Sequence, residues 1–186
     1  MIDKIINEVK DGVVAAITGT GDIVNTLRTT VKDVVVGTFN DAGEVSNVAV
    51  GTVASIAKGA ITGVVSTGTA AIDAAGDVVG STIKGVSEAG GDVFGAAKSA
   101  VRGTILGVSE VGGDVAGVAV NAVEGAIKAA GDIGADVGKA TEHAVLGAVH
   151  AADEIGGEAG TAVRDALLAS AALPKDIVQS AIGKKD

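Results

Sequence analysis

His143 and His150 are the two histidines of the sequence, and they are the residues best suited to bind a metal ion or to transfer protons. If the segment is helical, a spacing of seven residues places them on one face, about 10 Å apart. One metal ion cannot bridge that distance, and the chain has no cysteine to complete a site. We therefore predict no metal site and expect both histidines at the surface. A weak ion site between chains, with Glu142, Asp153 or Glu154, is the alternative.

Acidic residues dominate one position of an 11-residue repeat, from Asp11 to Asp176, and paired carboxylates are common in general acid–base catalysis. Eleven residues of helix span about 16 Å, so neighbouring acids in this line cannot act together. Solubility or pairing with Lys and Arg is their expected role, with Ca²⁺ bridging between chains as the alternative. No Ser–His–Asp arrangement or Gly-Lys-Thr phosphate loop is evident. We predict that the protein is not an enzyme and binds no cofactor.

The composition excludes several classes of protein. Glycine contributes 29 residues and hydrophobic residues 47%, yet aromatic residues make up only 1%. An ordinary globular core relies on aromatic and Leu side chains for volume, whereas the apolar residues here are mostly Ala, Val and Ile. Intrinsic disorder fits no better, because mean hydropathy is +0.49 and only 20% of residues are charged.

The charge and the N-terminal sequence restrict partners and location. A net charge of −9 argues against nucleic acid as a partner, because phosphate repels an acidic chain. Asp3 lies where a signal peptide carries only positive charge. The longest stretch without Asp, Glu, Lys or Arg, residues 59–72, is too short for a single membrane-spanning helix. We expect a cytoplasmic protein, or a surface filament exported without a cleaved signal peptide.

An internal repeat runs along the chain. Residues 85–93 (GVSEAGGDV) recur as residues 107–115 (GVSEVGGDV), 22 residues later, and related segments follow at 129–137 and 151–159. Similar sequences halfway between them reduce the basic unit to 11 residues, with no insertion or deletion. Eleven residues make three turns at about 3.67 residues per turn, close to the α-helix. A β-solenoid is excluded because an odd period would exchange inward and outward faces between units.

The uninterrupted register predicts an all-α protein with one very long, nearly continuous hendecad helix. The helix would form a first domain over residues 1–172 and a right-handed supercoil packed in an oligomer. Pro174 removes a helical N–H, so residues 173–186 are expected to form a short C-terminal helix and tail. The Gly-Gly pairs at 90–91, 112–113 and 156–157 are the expected kinks.

Glycine makes such a helix unstable alone, because each interior glycine costs about 1 kcal/mol relative to alanine. Packing against other helices must offset that cost. Regularly spaced glycines predict notches where helix backbones approach closely. The predicted notches are Gly90, Gly112, Gly134, Gly156, Gly103, Gly125 and Gly147. The predicted apolar seam consists of Val31, Val34, Val53, Ile56, Val78, Val108, Val111, Ile133 and Ile155.

Segments such as residues 51–60 (GTVASIAKGA) resemble the 11-residue repeats of the synucleins, perilipins and late-embryogenesis-abundant proteins. The periodicity is equally similar to that of hendecad coiled coils. The first resemblance implies a chain that becomes helical on lipid or on drying, and it assigns no site residues. The sequence departs from those families because it is acidic and much more apolar.

These observations predict a structural, glycine-rich protein that self-assembles into a helical bundle, tube or filament. The partner would be a second copy of the chain, joined through the Val/Ala/Ile/Gly face of an amphipathic helix. One alternative is an amphipathic coat on a lipid or other apolar surface. Another is an oligomeric helix bundle inserted in a membrane, with its charged faces towards a lumen.

Overall fold

The protein is a stack of short helices in a computed structural model that describes residues 2–18, 22–41 and 50–183. These residues form nine α-helices and no strand. The helices are α1 (Ile2–Thr18), α2 (Ile23–Asp41), α3 (Val50–Ser66), α4 (Ala71–Glu88), α5 (Val93–Glu110), α6 (Val115–Asp132), α7 (Val137–Ile155), α8 (Gly157–Ala169) and α9 (Lys175–Gly183). None of them is both long and apolar enough to cross a membrane.

The helical character predicted from the period is confirmed, but the single, nearly continuous helix is wrong. Helices α4, α5 and α6 each have 18 residues, and the turns 89–92 and 111–114 separate them. One helix and one turn together fill the 22-residue repeat, so the turns leave no interruption in the register. Residues 19–21 and 42–49, where the sequence also predicts helix, lie outside the described residues.

A glycine in the left-handed region ends each of these helices. Five positive-φ glycines recur every 22 residues, with φ between 65° and 84°, a region that residues with a Cβ rarely adopt. The residue that follows such a glycine bonds back to the helix. The Gly91 N–H donates to the Val86 carbonyl at 2.8 Å, and the Gly113 N–H donates to the Val108 carbonyl at 3.0 Å. This bond satisfies a carbonyl that the helix end would leave unpaired. The recurring glycines are Gly68, Gly90, Gly112, Gly134 and Gly156.

An aspartate two residues after the glycine begins the next helix. The Asp92 side chain accepts hydrogen bonds from the Phe94 and Gly95 N–H groups, at 3.0 and 3.1 Å. Asp114 and Asp136 are N-caps of α6 and α7 in the same way. Such caps satisfy the free N–H groups of the first helical turn. The sequence Gly-x-Asp therefore stops one helix and starts the next.

The helices form two layers within one chain. The most extensive contacts join helices two places apart in the chain, from α1 with α3 to α5 with α7, so α1, α3, α5, α7 and α9 form one layer and α2, α4, α6 and α8 form the other. Successive helices lie in opposite layers. Helices α3 and α5 run in the same direction, because Gly103 lies on Ala54 and Gly107 on Lys58, so both contacts advance together. The packing predicted between supercoiled chains thus occurs inside one chain.

Pro174 precedes the last helix, as α9 begins at Lys175. The Pro174 carbonyl accepts a hydrogen bond from the Val178 N–H at 3.0 Å, which closes the first turn of α9. Val178 and Ala181 are buried, and α9 packs on α7. Residues 184–186, the end of the predicted C-terminal helix and tail, lie outside the described residues.

Thr104 provides a test of the packing inside α5. Its side chain is fully buried, and its hydroxyl has no hydrogen-bond partner among the described residues. The equivalent hydroxyl of Thr82, one repeat earlier, donates to the Val78 carbonyl at 2.8 Å. We expect Thr104→Val to raise the free energy of unfolding by about 1 kcal/mol, because it removes an unsatisfied polar group and keeps the branched shape.

The measurement is urea denaturation of Thr104→Val beside Thr82→Val as the matched control. Thr82→Val removes a satisfied hydroxyl, so it should leave the free energy of unfolding unchanged or lower it. Equal effects of the two substitutions would show that the two hydroxyls have the same environment.

Candidate functional site

The two histidines, the residues best suited to a metal ion, belong to one helix. Both lie on α7, and the His143 ring packs against Phe94 on α5 with a centroid distance of 5.8 Å. The Nδ1 atom of His143 is buried without a hydrogen-bond partner in the described chain. Across residues 2–18, 22–41 and 50–183, no three His, Cys, Asp or Glu side chains are grouped as a metal ion would need.

Many of the repeated acids form ion pairs between neighbouring helices of the same layer. Each pair joins a basic residue to an acid about 50 residues later, in the helix two places on. The pairs are Arg28–Asp77 (2.7 Å), Lys32–Glu88 (3.1 Å), Lys58–Glu110 (2.5 Å), Lys84–Asp132 (2.6 Å) and Arg102–Glu154 (2.5 Å). Exposed pairs of this kind contribute about 0–1 kcal/mol each, so their main effect is to favour one register between helices.

The seven predicted notch glycines occupy two different environments. Gly90, Gly112, Gly134 and Gly156 lie in turns, where a Cβ atom would meet nothing within 4 Å. Gly103, Gly125 and Gly147 lie inside α5, α6 and α7, where a Cβ would overlap the backbone of a helix in the same layer. The overlapped groups are the carbonyls of Ala54, Gly76 and Lys98, each 49 residues earlier. Only the second set is positioned for close helix contact.

The predicted apolar seam lies mostly in the core of the chain. Val31, Val53, Ile56, Val78 and Val108 are buried. The partly buried Val34, Ile133 and Ile155 pack against that core. Val111, in the turn after α5, is 47% exposed. Most of the seam is therefore covered by helices of its own chain.

An open groove crosses the outer surface of the second layer, over α2, α4 and α6. We call it the α4 groove, and its volume is about 550 Å³. Its floor contains Gly76 and Gly80 of α4 and Gly125 of α6. Gly76 and Gly80 lower the surface of α4, because they have no side chain that could fill the space between α2 and α6. Charged side chains form the walls. They are Arg28, Lys32, Asp73, Asp77, Lys84, Glu124, Lys128 and Asp132.

Room remains above the glycine floor. A Cβ atom on Gly80 would lie 3.6 Å from the Gly125 carbonyl oxygen and 3.8 Å from the Ala129 Cβ, both ordinary contacts. Gly76 is tighter, with the Asn121 carbonyl oxygen at 3.2 Å from such an atom. Gly80 is therefore the floor position at which a longer side chain fits and would occupy the groove.

Lys84 lowers the pKa of Asp132 in the groove wall. The Lys84 ammonium donates a hydrogen bond to the Asp132 carboxylate at 2.6 Å. That hydrogen bond and the positive charge of Lys84 hold the pKa of Asp132 below its ordinary value, and Lys128 and Arg28 add to the shift. A carboxylate with a lowered pKa stabilises the fold above its unfolded-state pKa, and this contribution is lost as pH falls through the folded-state pKa.

We expect Lys84→Gln to raise the pKa of Asp132 towards its ordinary value, because the substitution removes both the ammonium donor and its charge. Carboxyl chemical shifts followed by NMR during an acid titration measure this pKa. Lys58→Gln, which removes a cation that pairs with Glu110 in the other layer, is the control and should leave Asp132 unchanged.

Sequence reasoning missed the α4 groove. Gly76 and Gly80, one helical turn apart, give a local signal, because glycine is unexpected on the polar face of a helix. That signal alone does not reveal that α2 and α6 flank α4.

The described residues form an all-α bundle of short helices in two layers, with the largest contacts between helices two places apart in the chain. Compared with known proteins, the chain matches no family model and no curated protein.

Proposed function

We propose that the protein is a non-catalytic structural scaffold that holds a polypeptide segment of a partner in the α4 groove. The observation that carries this proposal is the glycine floor, which leaves an open trough between two walls of charged side chains. A groove lined by helices of three successive repeats also resembles the extended surfaces along which helical repeat proteins bind partners.

The form of the groove favours a polypeptide over a small molecule. Small-molecule sites are enclosed and mainly apolar, whereas this trough is open and lined by charged groups of three helices. Nucleic acid is disfavoured, because the net charge is −9 and the sequence has almost no aromatic residues for base stacking. Backbone and charged side chains of a peptide match the donors and acceptors in the walls.

The first test uses Gly80→Gln to fill the groove and Gly12→Gln as its matched control. Gly12 lies in α1 of the other layer, where a Cβ would meet nothing within 4 Å. Glutamine is a good helix former, so both substitutions should preserve or raise the free energy of unfolding. Circular dichroism and thermal unfolding check that both variants are folded.

Peptides selected from a displayed random library on the wild-type protein supply the probe. We expect selected peptides to bind wild type and Gly12→Gln equally and to lose at least about tenfold in affinity for Gly80→Gln, because the glutamine side chain occupies their place. Peptides that bind both variants equally, or a library that yields no binder, would contradict the proposal.

A second candidate is structural self-assembly, which an apolar edge favours. Ile23, Val24, Ile72 and Val111 are exposed, and all lie where the chain passes from the first layer to the second. Exposed apolar groups that recur along one edge are suited to contact a second copy. This edge, and not the buried seam, would form the interface.

Light scattering across a wide range of protein concentration tests this second candidate. Ile72→Lys should reduce any self-association, because it places a charge in the apolar edge, while Gln179→Lys on the exposed face of α9 serves as control. A mass that stays monomeric at every concentration would contradict self-assembly. Lipid vesicles added to the same samples separate self-association from binding to an apolar surface.

A further inference from the structure

The lining of the α4 groove includes a buried hydroxyl group. Ser81 of α4 borders the groove, and only 5% of this residue is exposed. Its hydroxyl forms no hydrogen bond with any described residue. The other two buried serines of the described chain bond within their own helices, Ser55 to the Gly51 carbonyl at 2.8 Å and Ser99 to the Gly95 carbonyl at 2.7 Å. A buried polar group without a partner is costly, so the Ser81 hydroxyl is suited to bond a ligand that enters the groove.

The glycine floor has the spacing of a contact between helices. Gly76 and Gly80 are four residues apart in α4, so they lie on one side of the helix, about one turn apart. Glycines at this spacing allow another helix backbone to approach closely. Inside the protein α6 makes such an approach, because a Cβ atom on its Gly125 would overlap the Gly76 carbonyl group. The open side of the floor is suited in the same way to a helix that presents small residues.

The walls offer few partners to the backbone of an extended chain. Helices α2, α4 and α6 bond their own peptide groups, and Arg28 with Asp77 and Lys84 with Asp132 already form ion pairs. Every residue of an extended segment has an N–H and a C=O group that need partners where the walls cover them. An α-helix satisfies these groups within itself. The groove therefore favours a helical segment over an extended one.

From these observations we infer that the α4 groove binds its partner segment as an α-helix, which places small residues on Gly76 and Gly80 and accepts a hydrogen bond from Ser81. This inference rests on the proposed function. A carbonyl oxygen keeps a second lone pair after its own helix bond, so the partner helix can accept from the Ser81 hydroxyl. The lining of the groove follows α4 over residues 73–84, a length of about 16 Å, which about three helical turns of the partner span.

The conformation of a bound peptide is the direct test. Peptides selected on the wild-type protein are sorted by their affinity for Gly80→Gln, and those that lose affinity are the groove binders. One of them is isotope-labelled, and its α-carbon chemical shifts are recorded by NMR in complex with the full chain. We expect helical shifts over about eight or more consecutive residues, because about three turns contact the groove. Extended shifts in the bound peptide would overturn the inference.

Substitutions in the same peptide give a second readout. A residue in the middle of the bound segment is replaced by alanine in one peptide and by proline in another. Both remove the original side chain, but only proline breaks a helix. We expect the proline peptide to bind at least about tenfold more weakly than the alanine peptide. Equal affinities of the two peptides would contradict a helical segment.

Ser81→Ala locates the hydrogen bond in the groove. It should weaken binding of the groove peptides about two- to tenfold, because the segment loses one donor. The variant should be at least as stable as wild type, since it removes an unpartnered buried hydroxyl and alanine is the better helix former. The matched control is Ser99→Ala in α5, whose buried hydroxyl bonds to the Gly95 carbonyl in the other layer. Wild-type affinity in Ser81→Ala would overturn the bond assigned to Ser81.

The outcomes separate this inference from the function on which it rests. If peptides that lose affinity in Gly80→Gln are bound in an extended form, the helical segment is overturned and the groove remains a peptide site. If no selected peptide loses affinity in Gly80→Gln, the inference and the proposed function are both overturned.

Discussion

Replacing Gly103 by alanine should lower the free energy of unfolding by about 3 kcal/mol, an overpacking effect in a close helix contact. A Cβ on Gly103 would overlap the Ala54 carbonyl group, which belongs to the backbone of α3 and cannot move as a side chain does. Helices α3 and α5 must separate to admit the methyl group, and their shared core would lose contacts along its length.

Gly37→Ala is the control, and it should have the opposite sign. Gly37 lies inside α2, and a Cβ there would meet nothing within 4 Å. The substitution should raise the free energy of unfolding by about 1 kcal/mol through helix propensity alone. Urea denaturation of both variants measures the difference. If Gly103→Ala stabilised the protein as much as Gly37→Ala, then α3 and α5 would not approach closely at this position.

Truncating Ile105 to alanine is expected to have an effect of similar size, a loss of about 2–5 kcal/mol in the free energy of unfolding. Ile105 is fully buried in α5, and it is among the largest side chains of a core built mainly from Ala and Val. The neighbouring Ala and Val side chains are too short to fill the space that the isoleucine side chain leaves. A cavity should therefore remain, and its cost adds to the lost burial of the removed carbons.

The matched substitution is Ile72→Ala at the apolar edge. The Ile72 side chain is 37% exposed, so its truncation should cost clearly less than that of Ile105. Thermal and urea unfolding of both variants give the comparison. If Ile72→Ala lowered the free energy of unfolding as much as Ile105→Ala, then Ile72 would be as deeply buried as Ile105. That result would contradict the two-layer arrangement of the helices.

The sequence allowed the repeat length and the helical periodicity to be predicted, and it marked the Gly-Gly pairs 90–91 and 112–113, but as kinks in one helix and not as turns that end it. Gly90 and Asp92 carry the signals of a helix end and of the next helix start. Their turn, 89–92, fills the remaining four residues of a 22-residue unit, so the amphipathic pattern continues through it without a change of phase. Periodicity measures how residues recur, and a turn that recurs with the same period is invisible to it.

The sequence also did not allow us to predict what covers the apolar face of each helix. The pattern identifies Val78 and Val108 as apolar positions, and both are buried. It does not say whether another chain or another helix of the same chain covers them. That choice depends on Gly103, Gly125 and Gly147, which fit helices 49 residues earlier, and such a match requires the turns to be known first.

The candidate site depends on the same tertiary information. Gly76 and Gly80 become the floor of a groove only because α2 and α6 lie on either side of α4. Lys84 and Asp132, which pair in the wall, are 48 residues apart, so no local pattern connects them. The sequence therefore shows the residue types that line the α4 groove, but not which of them lie next to each other in the fold.

Small-angle X-ray scattering of the purified protein, in buffer without lipid, tests most directly whether the chain folds back on itself into two layers. A compact monomer of 186 residues should have a radius of gyration of about 16 Å. A continuous helix of 170 residues would be a rod of roughly 250 Å, with a radius of gyration of about 70 Å. A compact particle of monomeric mass is the expected result, and a rod-like scattering profile would contradict the fold and the groove built on it.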